Sequence, residues 1–469
     1  MIDVVVIDTP SLGDRSYLVT DGTAALVVDP QRDIDRILVA AADRGVQVTH
    51  VFETHIHNDY VSGGLALARE TGAAYHVNGA DDVAFGRDAI SGGDEIESGT
   101  MRVRVLATPG HTWTHLAYAV MDAVTGDVAG VFTGGSLLHG STGRPDLLGP
   151  RQARALASAQ HASARKLASL LPGHTPVFPT HGSGGSCAAG RASDGPSQAT
   201  IAGQQRANPA LTLGEDRYVA SVLAGLDAVP GYYARMGRAN MAGADAPVML
   251  PPPRVLAGHV PGRVAAGDWV VDLRDRQAFA GAHVPGALGF ELGPGFATHL
   301  GWLLPPGARL TLLASAPGQV AAAQRELSRI GVDQVAAAAI GGPADWLGGA
   351  DPASFPVSGF RGLAAAWRGG AITILDVRRP LEWAASHIDG ALHIPLHELP
   401  RRMHELPGRV AGRPVPVWVH SQGGYRASVA ASLLDAAGRQ VIIVDDAFER
   451  AAAARLPLVG GALPAAPAA

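Results

Sequence analysis

Apolar, β-branched runs in the first half of the chain stop repeatedly at a histidine or a glycine turn, and this recurrence constrains the fold more than any other feature. Val46-Gln47-Val48-Thr49-His50-Val51-Phe52 ends at Glu53-Thr54-His55-Ile56-His57-Asn58-Asp59-Tyr60. Val103-Arg104-Val105-Leu106-Ala107 breaks at Thr108-Pro109-Gly110 and delivers His111, with His115 four residues on. Ala129-Gly130-Val131-Phe132-Thr133 ends at Gly134-Gly135-Ser136, and Thr175-Pro176-Val177-Phe178-Pro179-Thr180 ends at His181-Gly182. Short runs of this composition, bounded by Gly and Pro, read as strands. A strand end is rigid and opens into a loop, so imidazoles placed there lose little freedom when they converge on a metal ion. A lone His-x-His pair says little, since chance gives roughly 0.7 such pairs in 469 residues with 18 His. Three histidine positions at strand ends say more, and they make His55 and His111 the candidate ligands, with His57, Asp59 and His181 as further candidates.

The ordered set of Asp29 after Ala25-Leu26-Val27-Val28, Thr-His-x-His-x-Asp, Thr-Pro-Gly-His-Thr and the late His181 resembles the metallo-β-lactamase superfamily over roughly residues 1–245. The resemblance implies a four-layer αββα sandwich with its metal loops along one edge. Gly143-Arg144-Pro145-Asp146 after the Phe-Thr-Gly strand is similar to the persulfide dioxygenase branch. That branch uses non-haem iron(II) and O₂ to oxidise glutathione persulfide to sulfite. Gln205-Arg206-Ala207-Asn208-Pro209-Ala210-Leu211 is similar to its bacterial members that carry rhodanese domains.

Composition agrees with a large enzyme that needs no polyanion. The chain has 47% hydrophobic and 17% charged residues, a net charge of -5 and a single lysine, Lys166, which excludes a basic nucleic-acid surface. No apolar run approaches the ~18 residues of a membrane span, and the first twenty residues lack a signal-peptide pattern, so a cytoplasmic location without membrane partner is expected. The one cysteine, Cys187, excludes an intramolecular disulfide. A homo-oligomer is left open.

The second half repeats itself. Trp269-Val270-Val271-Asp272-Leu273-Arg274 with Phe279, His283, Gly286, Ala287 and Leu288 recurs 104 residues later as Ile374-Leu375-Asp376-Val377-Arg378 with Trp383, His387, Gly390, Ala391 and Leu392. Each copy reads as a strand ending in Asp-x-Arg, a short helix and a His-x-x-Gly-Ala turn, giving two α/β units with parallel sheets. Linkers are expected at residues 243–253 and about 349–359, and domains at 1–245, 255–349 and 358–462. The two copies resemble rhodanese domains. In that family a Cys opens a loop whose amides nest an anion and whose thiolate carries sulfur. Here Val419-His420-Ser421-Gln422-Gly423-Gly424-Tyr425-Arg426 puts Ser421 at the Cys position, while Gly423, Gly424 and Arg426 keep a nest and a cation. The first copy has Ala314-Ser315-Ala316-Pro317-Gly318-Gln319, with neither Cys nor Arg, and reads as a pseudo-domain. A serine hydroxyl forms no persulfide, so sulfur transfer on this loop is not expected.

The first domain also departs from the family. The resemblance implies iron held by the residues at His55, His111 and the position after Phe-Thr-Gly, which here is Gly135, so the carboxylate of a two-His-one-carboxylate site is missing. Tyr60 stands where a second-site histidine belongs, which disfavours a two-metal hydrolase. Restoring Asp at Gly135 is expected to raise metal occupancy. Arg144 and Asp146 are candidates for binding the charged ends of a glutathione-like thiol or for shaping the pocket, or else form a surface ion pair, and Cys187 is a candidate for approaching the metal pocket and taking up sulfur. Asp29 is expected to orient a ligand, and His115 to neighbour the metal rather than bind it. The leading reading is a persulfide dioxygenase-like enzyme with Fe(2+), a low-molecular-weight persulfide and O₂. A Zn(2+) thioester hydrolase of the glyoxalase II kind and a non-catalytic sulfur-binding protein are the alternatives.

Overall fold

Alternation along the strands sets the layering of the first half. The computed structural model describes residues 2–182, 187–189, 199–370, 372–407, 409–410 and 413–460. Six strands, β1 (Asp3–Thr9), β2 (Asp14–Thr20), β3 (Ala24–Val28), β4 (Gln47–Phe52), β5 (Ala74–Asn78) and β6 (Asp88–Ile90), form one sheet in sequence order, antiparallel up to β3 and parallel beyond it. Five more, β7 (Glu95–Ser98), β8 (Met101–Ala107), β9 (Leu116–Asp122), β10 (Val128–Gly134) and β11 (Val177–Pro179), form a second in the order β11-β10-β9-β8-β7, with only β10 and β11 parallel.

Successive side chains point to opposite faces. In β3, Ala25 and Val27 pack with Ile37 and Leu67 of helices α1 (Asp35–Arg44) and α2 (Gly64–Thr71), whereas Leu26 and Val28 pack with Tyr118, Val120 and Phe132 of the other sheet. In β9, Leu116, Tyr118 and Val120 face the first sheet, whereas Ala117 and Ala119 face Ala157, Ala164 and Leu167 of helix α3 (Pro150–Leu170). Burying strands on both faces forces helix, sheet, sheet and helix into four layers, which is the expected sandwich. Its strands deliver β3, β4, β8, β10 and β11 to loops that meet at one edge.

The chain separates into two compact units, residues 1–248 with 327–331 and residues 249–326 with 332–469. The second unit holds both repeats. The first builds a parallel sheet in the order Leu288–Gly289, Trp269–Asp272, Leu310–Ala314, Ala337–Ile340. The second builds one in the order Val357–Ser358, Val441–Val444, Val417–His420, Thr373–Asp376, Leu392–His393. The Asp-x-Arg signature closes the same turn twice. Arg274 grips Asp272 at 2.6 Å and the Ala282 carbonyl at 2.8 Å, and Arg378 grips Asp376 at 2.6 Å and the Ser386 carbonyl at 2.8 Å. Among the described residues no helix is long and apolar enough to cross a membrane.

Candidate metal centre

Asp29 holds the strand ends that carry the centre. It follows β3 with φ 50°, a left-handed conformation that costs a non-glycine residue about 1–3 kcal/mol unless its surroundings impose it. Its carboxylate accepts from Thr54 N and Thr54 Oγ1, both at 2.7 Å, and from Thr180 Oγ1, while its own N–H donates to Phe52 O at 2.9 Å. One side chain thus ties the ends of β3, β4 and β11. Burial would raise this carboxyl, but His57 and these donors outweigh burial and lower it.

Three imidazoles then turn toward one another, each tethered through Nδ1. His55 Nδ1 lies 2.9 Å from Thr54 Oγ1, His111 Nδ1 donates to Arg144 O at 2.8 Å, and His181 Nδ1 lies 2.8 Å from Asp14 Oδ1 and 3.2 Å from Asp59 Oδ2. Tethers of this kind fix ring orientation and leave Nε2 for a metal. The ring centroids are 4.7 Å apart for His55 and His111, 5.2 Å for His111 and His181, and 5.4 Å for His55 and His181. The Nε2 atoms of His55 and His181 approach to 3.5 Å, and His111 Nε2 is fully buried with no hydrogen-bond partner. An orphaned buried nitrogen costs about 1–3 kcal/mol, so the donor set fits an ion.

Charge divides the three imidazoles. Burial, then the neighbouring imidazoles, push His55 well below its ordinary value, and burial with His181 pushes His111 down to about 3, which keeps both rings neutral with a lone pair to give. His181 goes the other way: Asp59 and Asp14 outweigh burial and push it up to about 10. Asp14, raised by burial and Asp59, sits at about 7 and shares a proton with that ring.

The neighbouring histidines have different tasks. His57 Nε2 lies 3.0 Å from Tyr60 OH, 3.2 Å from Asp29 Oδ1 and 3.3 Å from Glu53 Oε2, and those carboxylates outweigh burial and hold it protonated. A ring nitrogen of His57 nonetheless stays within 4.8 Å of donors on His55 and His181. Tyr60, buried and kept neutral, points its hydroxyl at His57 and Asp29 O. His115 has both nitrogens occupied, Nδ1 by Thr108 Oγ1 at 2.9 Å and Nε2 by the Gly135 N–H at 3.0 Å, and stacks on His55. It orients the Gly134-Gly135 turn.

Two expectations need correction. A side-chain carbon on Gly135 would lie 2.3 Å from His111 Cδ2, so an aspartate there displaces a ligand and does not simply restore the missing carboxylate. Arg144 and Asp146 are not a surface pair: Arg144 is 4% exposed, and its guanidinium forks onto Asp146 at 2.7 Å twice and reaches Asp227 O at 2.7 Å. Cys187 is buried, with ring nitrogens of His111 and His181 and its Sγ all within 4.8 Å of one another.

Asp14, Glu53, Thr180 and Asn240 belong to the centre and were not singled out from sequence. Asp14 opens β2, 167 residues before His181, and no local pattern marks it. Asn240 Nδ2 donates to His57 O and Tyr60 O, both at 2.8 Å, so the helix Tyr233–Ala242 holds the ligand loop.

The Ser421 loop differs from its expectation. Ser421 is 1% exposed and its Oγ accepts from Ala427 N at 3.3 Å. Arg426 is no free cation, because it forks onto Glu382 at 2.6 and 2.7 Å. A side-chain carbon on Gly424 would lie 2.0 Å from Asp445 Oδ1, which places a carboxylate against the turn, while Gly423 is exposed. In the first repeat, Gln319 Oε1 accepts from Ser315 N at 2.9 Å and Ala316 N at 3.1 Å, filling the loop amides from within.

Residues 14–181 match the metallo-beta-lactamase superfamily, and residues 363–454 match the rhodanese-like domain. The chain carries a metallo-β-lactamase domain followed by a rhodanese-like domain. The metallo-β-lactamase fold binds metal ions, and its edge is where the histidines converge. A hydroxyacylglutathione hydrolase of Acidiphilium cryptum is 37% identical over 117 residues, covering 24% of this chain and 48% of that protein. The chain spans about half the length of the curated relatives it matches. A metallo-beta-lactamase of Staphylococcus aureus subsp. aureus COL has a similar fold, with a TM-score of 0.63 at 24% identity, covering 72% of this chain and 99% of that one. ETHE1 of Myxococcus xanthus aligns with a TM-score of 0.43 at 26% identity, covering 51% of this chain and 98% of that one.

Proposed function

We propose that the metallo-β-lactamase domain oxidises a low-molecular-weight persulfide, glutathione persulfide or a similar thiol's, to sulfite at a single iron ion. The rhodanese-like part would bind or present sulfur species. The observation that carries this reading is the Tyr60 side of the centre. A neutral phenol, hydrogen-bonded to His57 and Asp29 O, stands where the resemblance leads one to expect a second-site histidine, while the His55, His111 and His181 rings stay together, with centroids 4.7, 5.2 and 5.4 Å apart. A site for one ion fits sulfur oxygenation better than dinuclear hydrolysis, and a rhodanese-like domain on the same chain supports a sulfur compound as the substrate class.

Iron(II) held by these imidazoles would supply a redox-active site at which O₂ can react with sulfur, the four electrons coming from the persulfide's outer sulfur. The overall change balances as persulfide, O₂ and water giving thiol, sulfite and two protons. Thr54, Arg144 O and the Asp14–Asp59 pair keep the three rings oriented, and Asp14, at about 7, is placed to hold a proton beside them. Glutathione persulfide should stimulate O₂ uptake and sulfite release by the anaerobically iron-loaded protein. His111→Ala should lower both by at least about a hundredfold, because two remaining imidazoles do not keep the ion placed. No O₂ uptake with any of several low-molecular-weight persulfides would overturn the reading.

One observation favours a zinc thioester hydrolase instead: the curated relatives across this domain are named hydroxyacylglutathione hydrolases. Two tightly bound zinc ions per chain, with hydrolysis of a hydroxyacylglutathione, would establish that alternative.

A further inference from the structure

The centre has lost an anion and kept a buried nitrogen without a partner. His111 Nε2 is aimed into the cluster with no hydrogen bond, and Gly135 has no room for a side chain because the His111 ring fills that space. An anionic donor must therefore enter from another wall. Cys187 stands on that wall, 1% exposed, and its Sγ lies within 4.8 Å of donors on both His111 and His181. One backbone segment positions both His111 and Cys187. Arg144 O accepts from His111 Nδ1 at 2.8 Å, Arg144 N donates to Cys187 O at 2.8 Å, and Ala189 N donates to Thr142 O at 2.8 Å. Among the described residues, Sγ also lies 3.8 Å from Tyr233 OH and beside Asp59.

We propose that Cys187 is a metal ligand, its thiolate replacing the carboxylate absent at Gly135 in a set with His111, His181 and His55. This rests on the single-ion reading of the centre and concerns which side chains hold that ion. Around a tetrahedral ion with ~2.0–2.1 Å nitrogen and ~2.3 Å sulfur distances, donors stand about 3.3–3.6 Å apart. The His55–His181 Nε2 separation of 3.5 Å already spans one such edge, and a donor triplet within 4.8 Å needs to close by only about 1 Å. On binding, the Sγ–H proton and the Nε2–H proton of the cationic His181 ring leave to solvent and metal–sulfur and metal–nitrogen bonds take their places, so neutral imidazoles plus one anion keep the charge of a two-His-one-carboxylate set. A thiolate favours zinc, cobalt or iron(II) over hard cations.

Cobalt(II) titration of the full chain under anaerobic conditions tests the proposal, with metal content and near-ultraviolet absorption as readouts. One cobalt per chain with an intense thiolate-to-cobalt charge-transfer band is expected. Cys187→Ser should lose the band and bind cobalt at least about tenfold more weakly, by the scale on which even supporting partners of a ligand act. Cys187→Asp should keep one cobalt without the band, which separates loss of the thiolate from loss of the fold. One cobalt without the band in the unaltered chain would overturn the ligand and leave the single-ion reading standing. No cobalt at all would overturn both. Two cobalt ions per chain would overturn the single-ion reading, and the band would still decide whether Cys187 binds.

Discussion

The candidate metal centre and the Ser421 loop each lack a group that the family resemblances lead one to expect, a carboxylate at Gly135 and a thiol at Ser421, and the two gaps have different surroundings. At the centre, Gly135 replaces a carboxylate, yet His111 Nε2 remains orphaned among buried imidazoles and acids that fit a cation. At the loop, Ser421 replaces a thiol, and its neighbours have found partners: Ala427 N on Ser421 Oγ, and Glu382 on Arg426. A site keeps its tendency to bind when unsatisfied polar groups survive the substitution, since each costs free energy until something occupies it. When the remaining groups pair among themselves, the tendency weakens.

Removing Asp29 should break the contrast most severely. Asp29→Ala takes away the acceptor of three strand-end hydrogen bonds and leaves protonated His57 with Glu53 and the more distant Asp59 to oppose it, at a cost of about 3–5 kcal/mol in urea unfolding. A loss below about 1 kcal/mol would show that the strand ends hold without it.

The Arg426–Glu382 fork should come next. Burial alone would raise the Glu382 carboxyl, but Arg426 outweighs it and holds Glu382 at about 2, against 4.5 unfolded. Because the folded value lies below the unfolded one, this stabilisation is complete above pH about 4.5 and disappears as the pH falls toward 2. Discounted for partial exposure, it amounts to on the order of 2 kcal/mol. Glu382→Gln should flatten the fall in stability across that window, and an unchanged acid limb would show the fork contributes nothing.

Gly135→Asp should give a smaller effect, a destabilisation of about 1–3 kcal/mol from overpacking against His111, with metal content per chain unchanged or reduced. A gain in metal would show that the ring yields and that the lost carboxylate can return. The least change is expected for Ser421→Cys, which exchanges oxygen for sulfur at a buried position with stability altered by less than about 1 kcal/mol. Mass spectrometry should find it partly persulfidated by a thiosulfate donor, and Ser315→Cys unmodified, because Gln319 fills the amides of that loop. Equal modification of the two would erase the distinction between the repeats.

The sequence by itself determined the layers, the strand ends and the repeat. The apolar runs of β3 and β9, buried on both faces, the breaks before His111 and His181, and two Asp-x-Arg turns are local patterns readable along the chain. It also marked Gly135, Tyr60 and Ser421 as substitutions, because motif spacing survives when one member changes. Only the tertiary structure decided how those gaps are met. Asp14 reaches His181 across 167 residues, Arg426 spends its charge on Glu382, and Cys187 lies against His111 and His181. Such pairings depend on how sheets and loops pack in three dimensions, and neither periodicity nor spacing along a chain carries that information.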